Sequence, residues 1–151
     1  MLRPILLVED NPNDLELSLT ALERTGLANE VIVARDGEEA FNFLFYKGQY
    51  SNRKHENPAV VLLDIKLPKI DGLELLGYIR KEASLQHLPV VLLTSSREEQ
   101  DVLQGYQLGS NAYVVKPVAF PDFIKAIQDL GVFWAVVNEP PPIAARERFV
   151  K

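Results

Sequence analysis

The chain has 151 residues, of which 47% are hydrophobic and 25% charged, proportions typical of one globular domain. The net charge of -5 disfavours non-specific binding to nucleic acid, and the absence of cysteine excludes disulfides and thiolate metal sites. The N-terminal apolar stretch is too short for a signal peptide, and no segment approaches the length of a membrane span. The sequence therefore predicts a cytoplasmic protein whose partners are neither nucleic acid nor membrane.

The first elements along the chain alternate between strand and helix. Residues 5–8 form a non-alternating apolar run, typical of a strand buried on both faces of a parallel sheet. A polar cap, a proline start and a glycine stop predict a helix within residues 11–26. A weaker apolar run at 31–34 predicts an edge strand, and a capping box at 36–39 opens a second helix.

The rest of the chain continues the alternation. A polar segment at about 47–58 is predicted to be a long loop. Three further buried strands and three helices are then predicted: strands at 60–63, 90–93 and 112–115, and helices that start at Asp71, at Ser96 and near Phe120. Strand and helix alternate five times, which predicts a doubly wound α/β domain over residues 1–138. Residues 139–151, which contain three successive prolines, are predicted to be an extension without a domain of its own.

The strand ends carry complementary chemistry. Glu9 and Asp10 follow the first strand, Asp64 follows the third, Thr94 ends the fourth and Lys116 follows the fifth. Ligand sites of doubly wound sheets lie at the carboxyl ends of the strands. We therefore expect three carboxylates, a hydroxyl and an ammonium to meet at one edge of the sheet.

Such a cluster favours one kind of chemistry. Adjacent carboxylates repel each other, and Mg²⁺, which prefers oxygen ligands, would relieve that repulsion. Asp64 could then act as a nucleophile towards phosphorus and form an aspartyl phosphate. Lys116 and Thr94 would each meet an oxygen of the transferring group.

Four segments resemble the receiver domain of two-component response regulators. They are LVEDN at 7–11, LDIKLPKIDG at 63–72, LTSS at 93–96 and YVVKP at 113–117, and the resemblance covers about residues 3 to 137. It implies a flavodoxin-like fold with a five-stranded parallel sheet in the order 2-1-3-4-5, flanked by five helices. It also implies a phosphoacceptor that receives its phosphoryl group from a sensor histidine kinase.

The resemblance assigns roles to individual residues. Asp64 is the expected phosphorylation site, and the expected Mg²⁺ ligands are Glu9, acting mainly through water, Asp10, Asp64 and the backbone carbonyl of Lys66. The expected switch residues are Thr94, Tyr113 and Lys116, with a cis peptide bond before Pro117. Thr94 could instead cap a helix or turn, a role open also to Ser95 and Ser96.

A narrower resemblance is to the regulators that partner cyanobacterial phytochrome histidine kinases. It depends on FLFYKGQY at 43–50 with the loop after it, on GYQLGSNAY at 105–113 and on Phe133-Trp134. It implies a phytochrome as the kinase partner.

The last predicted helix has more apolar residues than one core-facing stripe needs. They are Phe120, Phe123, Ile124, Ile127, Leu130, Phe133, Trp134 and Val137. Such a surface can pack on the sheet with some exposed residues, but its width favours a partner surface. We expect a homodimer through this helix and the adjoining surface, with a conformational or dimerisation switch as the output.

Two rival functions use the same residues. A Mg²⁺-dependent phosphohydrolase would need a second acid–base carboxylate soon after Asp64, where the sequence has Lys66. A phosphorylation-independent binding scaffold would not need Asp10, Asp64, Thr94 and Lys116 together. We therefore expect no enzyme activity beyond self-phosphorylation and self-dephosphorylation at Asp64. His55 and His87 are predicted to be exposed loop residues, not ligands.

Overall fold

A computed structural model of the chain describes residues 3–24, 28–94, 106, 107, 109 and 112–115. The strands are β1 (Ile5–Val8), β2 (Val31–Ala34), β3 (Val60–Leu63), β4 (Val90–Thr94) and β5 (Ala112–Val115). The helices among these residues are α1 (Pro12–Arg24), α2 (Gly37–Phe45) and α3 (Gly72–Lys81). The helices predicted from Ser96 and Phe120, and the extension at 139–151, lie outside the described residues.

All strand pairs are parallel, and the strands follow one another across the sheet as β2-β1-β3-β4-β5. β1 lies between β2 and β3, with Leu6 opposite both Ile32 and Val61. All four residues of β1 and of β3 are buried, as their unbroken apolar sequences predict. The predicted parallel α/β architecture is confirmed.

Successive residues of each inner strand enter opposite layers of the core. Leu6, Val8, Val61 and Leu63 pack with buried residues of α2 and α3 on one face of the sheet. The intervening residues of β1 and β3 pack with buried residues of α1 on the other face. Because strand side chains alternate in direction, the inner strands β1 and β3 are buried on both faces of the sheet.

Side-chain caps open the three helices where the sequence predicts them. The Asn11 Oδ1 accepts hydrogen bonds from the backbone N–H groups of Asn13 (2.9 Å) and Asp14 (3.1 Å). Asp36 and Asp71 cap α2 and α3 in the same way, each accepting from the N–H three residues later. These caps satisfy N–H groups in the first turn of each helix, which stabilises the helix starts. α1 and α2 begin within four residues of the preceding strand, whereas the loop that contains Asp64 separates β3 from α3.

The predicted loop at 47–58 contains a 3₁₀ turn at Gly48–Tyr50 and is attached to α2 through Arg53. The Arg53 Nε donates to the Phe43 carbonyl at 2.7 Å, and the guanidinium lies over the rings of Phe43 (3.9 Å) and Tyr46 (4.2 Å). Burial of this guanidinium lowers the pKa of Arg53. The loop is therefore held by a specific cation–π and hydrogen-bond contact that its polar composition does not reveal.

Within the described part of the chain, none of the helices has the length and apolar character needed to cross a membrane.

Candidate functional site

The carboxyl ends of β1 and β3 bring three carboxylates together. The Asp64 N–H donates to the Val8 carbonyl at 3.1 Å, so parallel pairing continues one residue beyond β3 and places Asp64 beside the end of β1. One carboxylate oxygen each from Glu9, Asp10 and Asp64 lies within 4.8 Å of the others. Glu9 is 2% exposed and Asp64 8% exposed, whereas Asp10 is half-buried. The predicted convergence of these residues is present in the structure.

At this spacing the three carboxylates repel one another, and a bound cation would reduce the repulsion. Two carboxylates about 5 Å apart repel by roughly 3 kcal/mol at an effective dielectric constant of about 20, and this cluster contains three such pairs. A hard divalent cation would offset the repulsion, and Mg²⁺ needs only one or two carboxylates besides water and a carbonyl. Three acidic oxygens within 4.8 Å fit around one hydrated cation of this class. The donor set contains oxygen only, which suits magnesium or manganese better than zinc.

A tight turn after β3 fixes the backbone of Asp64. The N–H groups of Leu67 and Gly72 both donate to the Ile65 carbonyl, at 3.1 and 2.8 Å. A Cβ at position 72 would overlap the carbonyl oxygen of Asp64, so only glycine allows α3 to start there. Lys66 is exposed within this turn, and the metal-binding role of its carbonyl stays a prediction.

The start of α2 braces the same loop from the other side. The Gly37 N–H donates to the Pro68 carbonyl at 3.3 Å, and a Cβ on Gly37 would overlap the Ile70 carbonyl. Lys69, which has a positive φ of 70°, extends its Nζ to within 3.5 Å of the Asp36 carboxylate. Sequence reasoning used Asp36 only as a helix cap and missed this contact. The Asp-Gly pair at 36–37 was a signal only for the close approach of the α2 backbone to this loop, because glycine at a helix start permits such an approach.

Arg35 connects the end of β2 to the end of β1. Its guanidinium donates to the Asp10 carbonyl at 3.4 Å, while its backbone N–H donates to the Glu39 carboxylate at 3.0 Å. The Tyr50 hydroxyl donates to the same carboxylate at 3.3 Å, and burial together with the charge of Glu39 raises the pKa of Tyr50. An exposed arginine after a strand carries no sequence signal of its own, so sequence reasoning missed this residue.

Two of the predicted switch residues, Thr94 and Tyr113, lie in described strands. Thr94 is the last residue of β4 and pairs with Val115 of β5, and Tyr113 pairs with Leu92. This pairing brings the ends of β4 and β5 to the edge that carries Asp64. The side chains of Thr94 and Tyr113, and all of Ser95, Ser96, Lys116 and Pro117, lie outside the described residues. Their assigned roles, and the cis peptide bond, stay predictions.

The two histidines are away from the acidic cluster and exposed, as predicted. The His55 ring stacks on Tyr46, with ring centroids 3.9 Å apart.

Comparisons with known proteins agree with this geometry. The family model of the response regulator receiver domain matches residues 5–128. The chain is 40% identical over 130 residues to the response regulator Rcp1 of Synechocystis sp. (strain ATCC 27184 / PCC 6803 / Kazusa), covering 86% of this chain and 87% of that protein. It is 66% identical to the solved bacteriophytochrome response regulator AtBRR, with a TM-score of 0.75 and coverage of 92% of this chain and 99% of that one.

Two further solved structures are described with occupied or modified sites. The Mn²⁺-bound form of Rcp1 is 38% identical with a TM-score of 0.83, covering 93% of this chain and 99% of that one. The phosphorylated cyanobacterial phytochrome response regulator RcpA is 34% identical with a TM-score of 0.85, covering 94% of this chain and 100% of that one. Family model, sequence identity and fold agree: the chain belongs to the response regulator receiver family and is related to the phytochrome response regulators.

Proposed function

We propose that this chain is a phosphoacceptor switch in which Asp64 receives a phosphoryl group from a sensor histidine kinase. The observation that carries the proposal is the cluster of Glu9, Asp10 and Asp64 at the carboxyl ends of two adjacent strands. Asp64 suits the role of nucleophile because the tight turn after β3 fixes its backbone and its carboxylate is only slightly exposed.

In the proposed reaction, a carboxylate oxygen of Asp64 forms a bond to phosphorus while the bond from phosphorus to the donor breaks. The product is an acyl phosphate, and the electron pair leaves with the donor. Glu9, Asp10, Asp64 and the Lys66 carbonyl would hold Mg²⁺, which when bound neutralises charge on the phosphoryl oxygens. Lys116 and Thr94 are proposed to contact the other phosphoryl oxygens, Tyr113 to respond to Thr94, and Pro117 to follow a cis peptide bond.

The choice of partner and metal is supported by the relatives. The regulator with 66% identity is named for a bacteriophytochrome, and the structure described as phosphorylated is a cyanobacterial phytochrome regulator. Rcp1 is described with Mn²⁺, an ion that shares with Mg²⁺ a preference for oxygen ligands. We therefore propose a phytochrome as the kinase and Mg²⁺ as the ion.

The output is proposed to be a conformational change that alters dimerisation. Its support is the wide apolar surface predicted for the last helix, in a receiver domain of five helices over residues 1–138. We propose no catalysis on other substrates. A phosphohydrolase is disfavoured because Lys66, two residues after Asp64, is an exposed lysine and cannot act as the second carboxylate.

The experiment that tests the proposal compares the wild type with Asp64→Asn. Autophosphorylated histidine kinases, with a phytochrome among them, are mixed with each protein and Mg²⁺, and transferred phosphate is counted by intact mass. We expect one phosphoryl group on the wild type and none on Asp64→Asn, because the amide is not a nucleophile. Glu23→Gln, which removes an exposed carboxylate from the last turn of α1, should behave as the wild type.

Equal incorporation by the wild type and Asp64→Asn would refute the assignment of Asp64. Sedimentation of the phosphorylated and unphosphorylated wild type tests the output separately. Monomer mass in both states at micromolar concentration would refute the dimer while leaving the phosphoacceptor role intact.

A further inference from the structure

Arg35 places a permanent positive charge beside the acidic cluster. It follows β2, is exposed, and its guanidinium lies 3.4 Å from the carbonyl oxygen of Asp10, the residue that contributes one of the three carboxylates. The guanidinium stays protonated at any physiological pH, so its charge is constant. The side chain therefore lies next to the site, in contact with the backbone of one of the residues that would hold the metal.

The hydrogen bond of this side chain contributes little to the position of Asp10. The end of β1 is already held by backbone bonds, since the Glu9 N–H donates to the Ala34 carbonyl at 3.0 Å. The Arg35 backbone is held independently, by its N–H bond to Glu39. The guanidinium–carbonyl bond is long and exposed, and such bonds stabilise weakly. The main effect of the Arg35 side chain on the site is therefore its positive charge.

That charge matters for an incoming phosphodonor. Three carboxylates and one divalent cation leave a net charge of minus one before Lys116 is counted. This negative charge repels a dianionic donor more strongly than a monoanionic one. The positive charge of Arg35 reduces that difference in repulsion. We propose that Arg35 is a specificity-determining residue that favours dianionic phosphodonors at Asp64, an inference that rests on the proposed phosphoacceptor function.

Two substitutions separate charge from hydrogen bonding. Arg35→Lys keeps the charge, whereas Arg35→Gln keeps an N–H donor but removes the charge. Arg24→Gln is the matched control, because Arg24 is an exposed arginine in the last turn of α1, at the opposite end of that helix from the acidic edge. Each protein is phosphorylated at low ionic strength near neutral pH with acetyl phosphate, a dianion, and with phosphoramidate, a monoanion.

We expect Arg35→Gln to slow phosphorylation by acetyl phosphate about threefold and that by phosphoramidate less than about twofold. Arg35→Lys and Arg24→Gln should stay within about twofold of the wild type with both donors. Added potassium chloride should shrink the difference between wild type and Arg35→Gln, because exposed charges are screened.

A second readout needs no phosphorylation. Titration calorimetry with Mg²⁺ alone should show an affinity about twofold higher for Arg35→Gln than for the wild type, since a nearby cation has been removed. Unchanged Mg²⁺ affinity, or equal slowing with both donors, would overturn the inference, and so would wild-type rates in Arg35→Gln. These results differ from failure of the proposed function, in which the wild type itself takes up no phosphoryl group on Asp64.

Discussion

At the scale of single residues, Gly72 allows α3 to begin directly against the backbone of Asp64. Replacing it with alanine would place a Cβ on the Asp64 carbonyl oxygen and the Ile65 backbone. We expect Gly72→Ala to lower the free energy of unfolding by about 1–3 kcal/mol, because backbone must move to admit the methyl group. Displacement of Asp64 should also slow its phosphorylation about tenfold or more. Urea denaturation and phosphorylation by acetyl phosphate measure the two effects.

Whether Gly72→Ala lowers or raises the free energy of unfolding tests this prediction. Without the overlap, alanine in a helix is favoured over glycine by up to about 1 kcal/mol. A more stable Gly72→Ala variant with normal phosphorylation would therefore show that the close approach of α3 to Asp64 is not required. Lys81→Ala, an exposed change in the last turn of the same helix, should stay within about 0.5 kcal/mol of the wild type.

Single residues also show what the sequence could reveal about the site. Glu9, Asp10 and Asp64 could be predicted together because each follows an unbroken apolar strand, and parallel strands end at one edge. Arg35 and Lys69 could not be predicted, because their contacts depend on loop conformation. The positive φ of Lys69, in particular, is uncommon for a residue with a Cβ and leaves no pattern in the sequence.

At the scale of elements, Asp36 joins α2 to the loop that carries Asp64. Its Oδ1 accepts from the Glu39 N–H at 2.7 Å, and its Oδ2 lies 3.5 Å from the Lys69 Nζ. We expect Asp36→Ala to lower the free energy of unfolding by about 1–2 kcal/mol, mainly through the lost cap. Asp36→Asn should lower the free energy of unfolding by less than about 0.5 kcal/mol, because asparagine can also cap the helix and the ion pair is largely exposed.

Urea denaturation of the two Asp36 variants distinguishes the cap from the ion pair. Lys69→Gln is the matched control, since it removes the ion pair and leaves the cap, and it should resemble Asp36→Asn. If Asp36→Asn is as destabilised as Asp36→Ala, the ion pair and not the cap holds α2 against the loop.

The starts of the helices could be predicted from local sequence patterns. The capping residues Asn11, Asp36 and Asp71 mark the three helix starts, because a side-chain acceptor for orphan N–H groups is a local requirement. The contact of Arg53 with Phe43 and Tyr46 was not predictable, since it joins a loop to a helix that sequence patterns treat as separate. Local rules give the elements, whereas loop packing depends on tertiary contacts.

At the scale of the whole molecule, the sheet order brings together residues that are more than fifty positions apart in the chain. β1 lies beside β3, so Asp10 meets Asp64 although α1, β2 and α2 intervene. The fold must therefore hold three like charges within 4.8 Å of each other whenever no cation is bound. Part of its stability should depend on the metal.

Asp10→Asn tests that dependence by removing one charge from the cluster. Without divalent metal we expect the variant to be more stable than the wild type by about 1 kcal/mol, because Asp10 is half-buried and its repulsion is partly screened. Mg²⁺ at a hundredfold excess over its dissociation constant for the wild type should stabilise the wild type by about 2.7 kcal/mol. The same Mg²⁺ concentration should stabilise Asp10→Asn by less than about 0.5 kcal/mol, because the variant has lost one ligand. Thermal and urea denaturation, with and without Mg²⁺ at constant ionic strength, measure both effects.

The control for this experiment is Glu16→Gln, which removes an exposed carboxylate of α1 outside the cluster. It should leave the Mg²⁺ effect unchanged, because Glu16 contributes no oxygen to the site. If the wild type and Asp10→Asn gain equal stability from Mg²⁺, the cation binds elsewhere, and the three carboxylates must be accommodated without it. If both results hold as expected, the repulsion at the strand ends couples metal binding to the stability of the sheet, since the residues that would bind the ion directly follow two adjacent inner strands, β1 and β3.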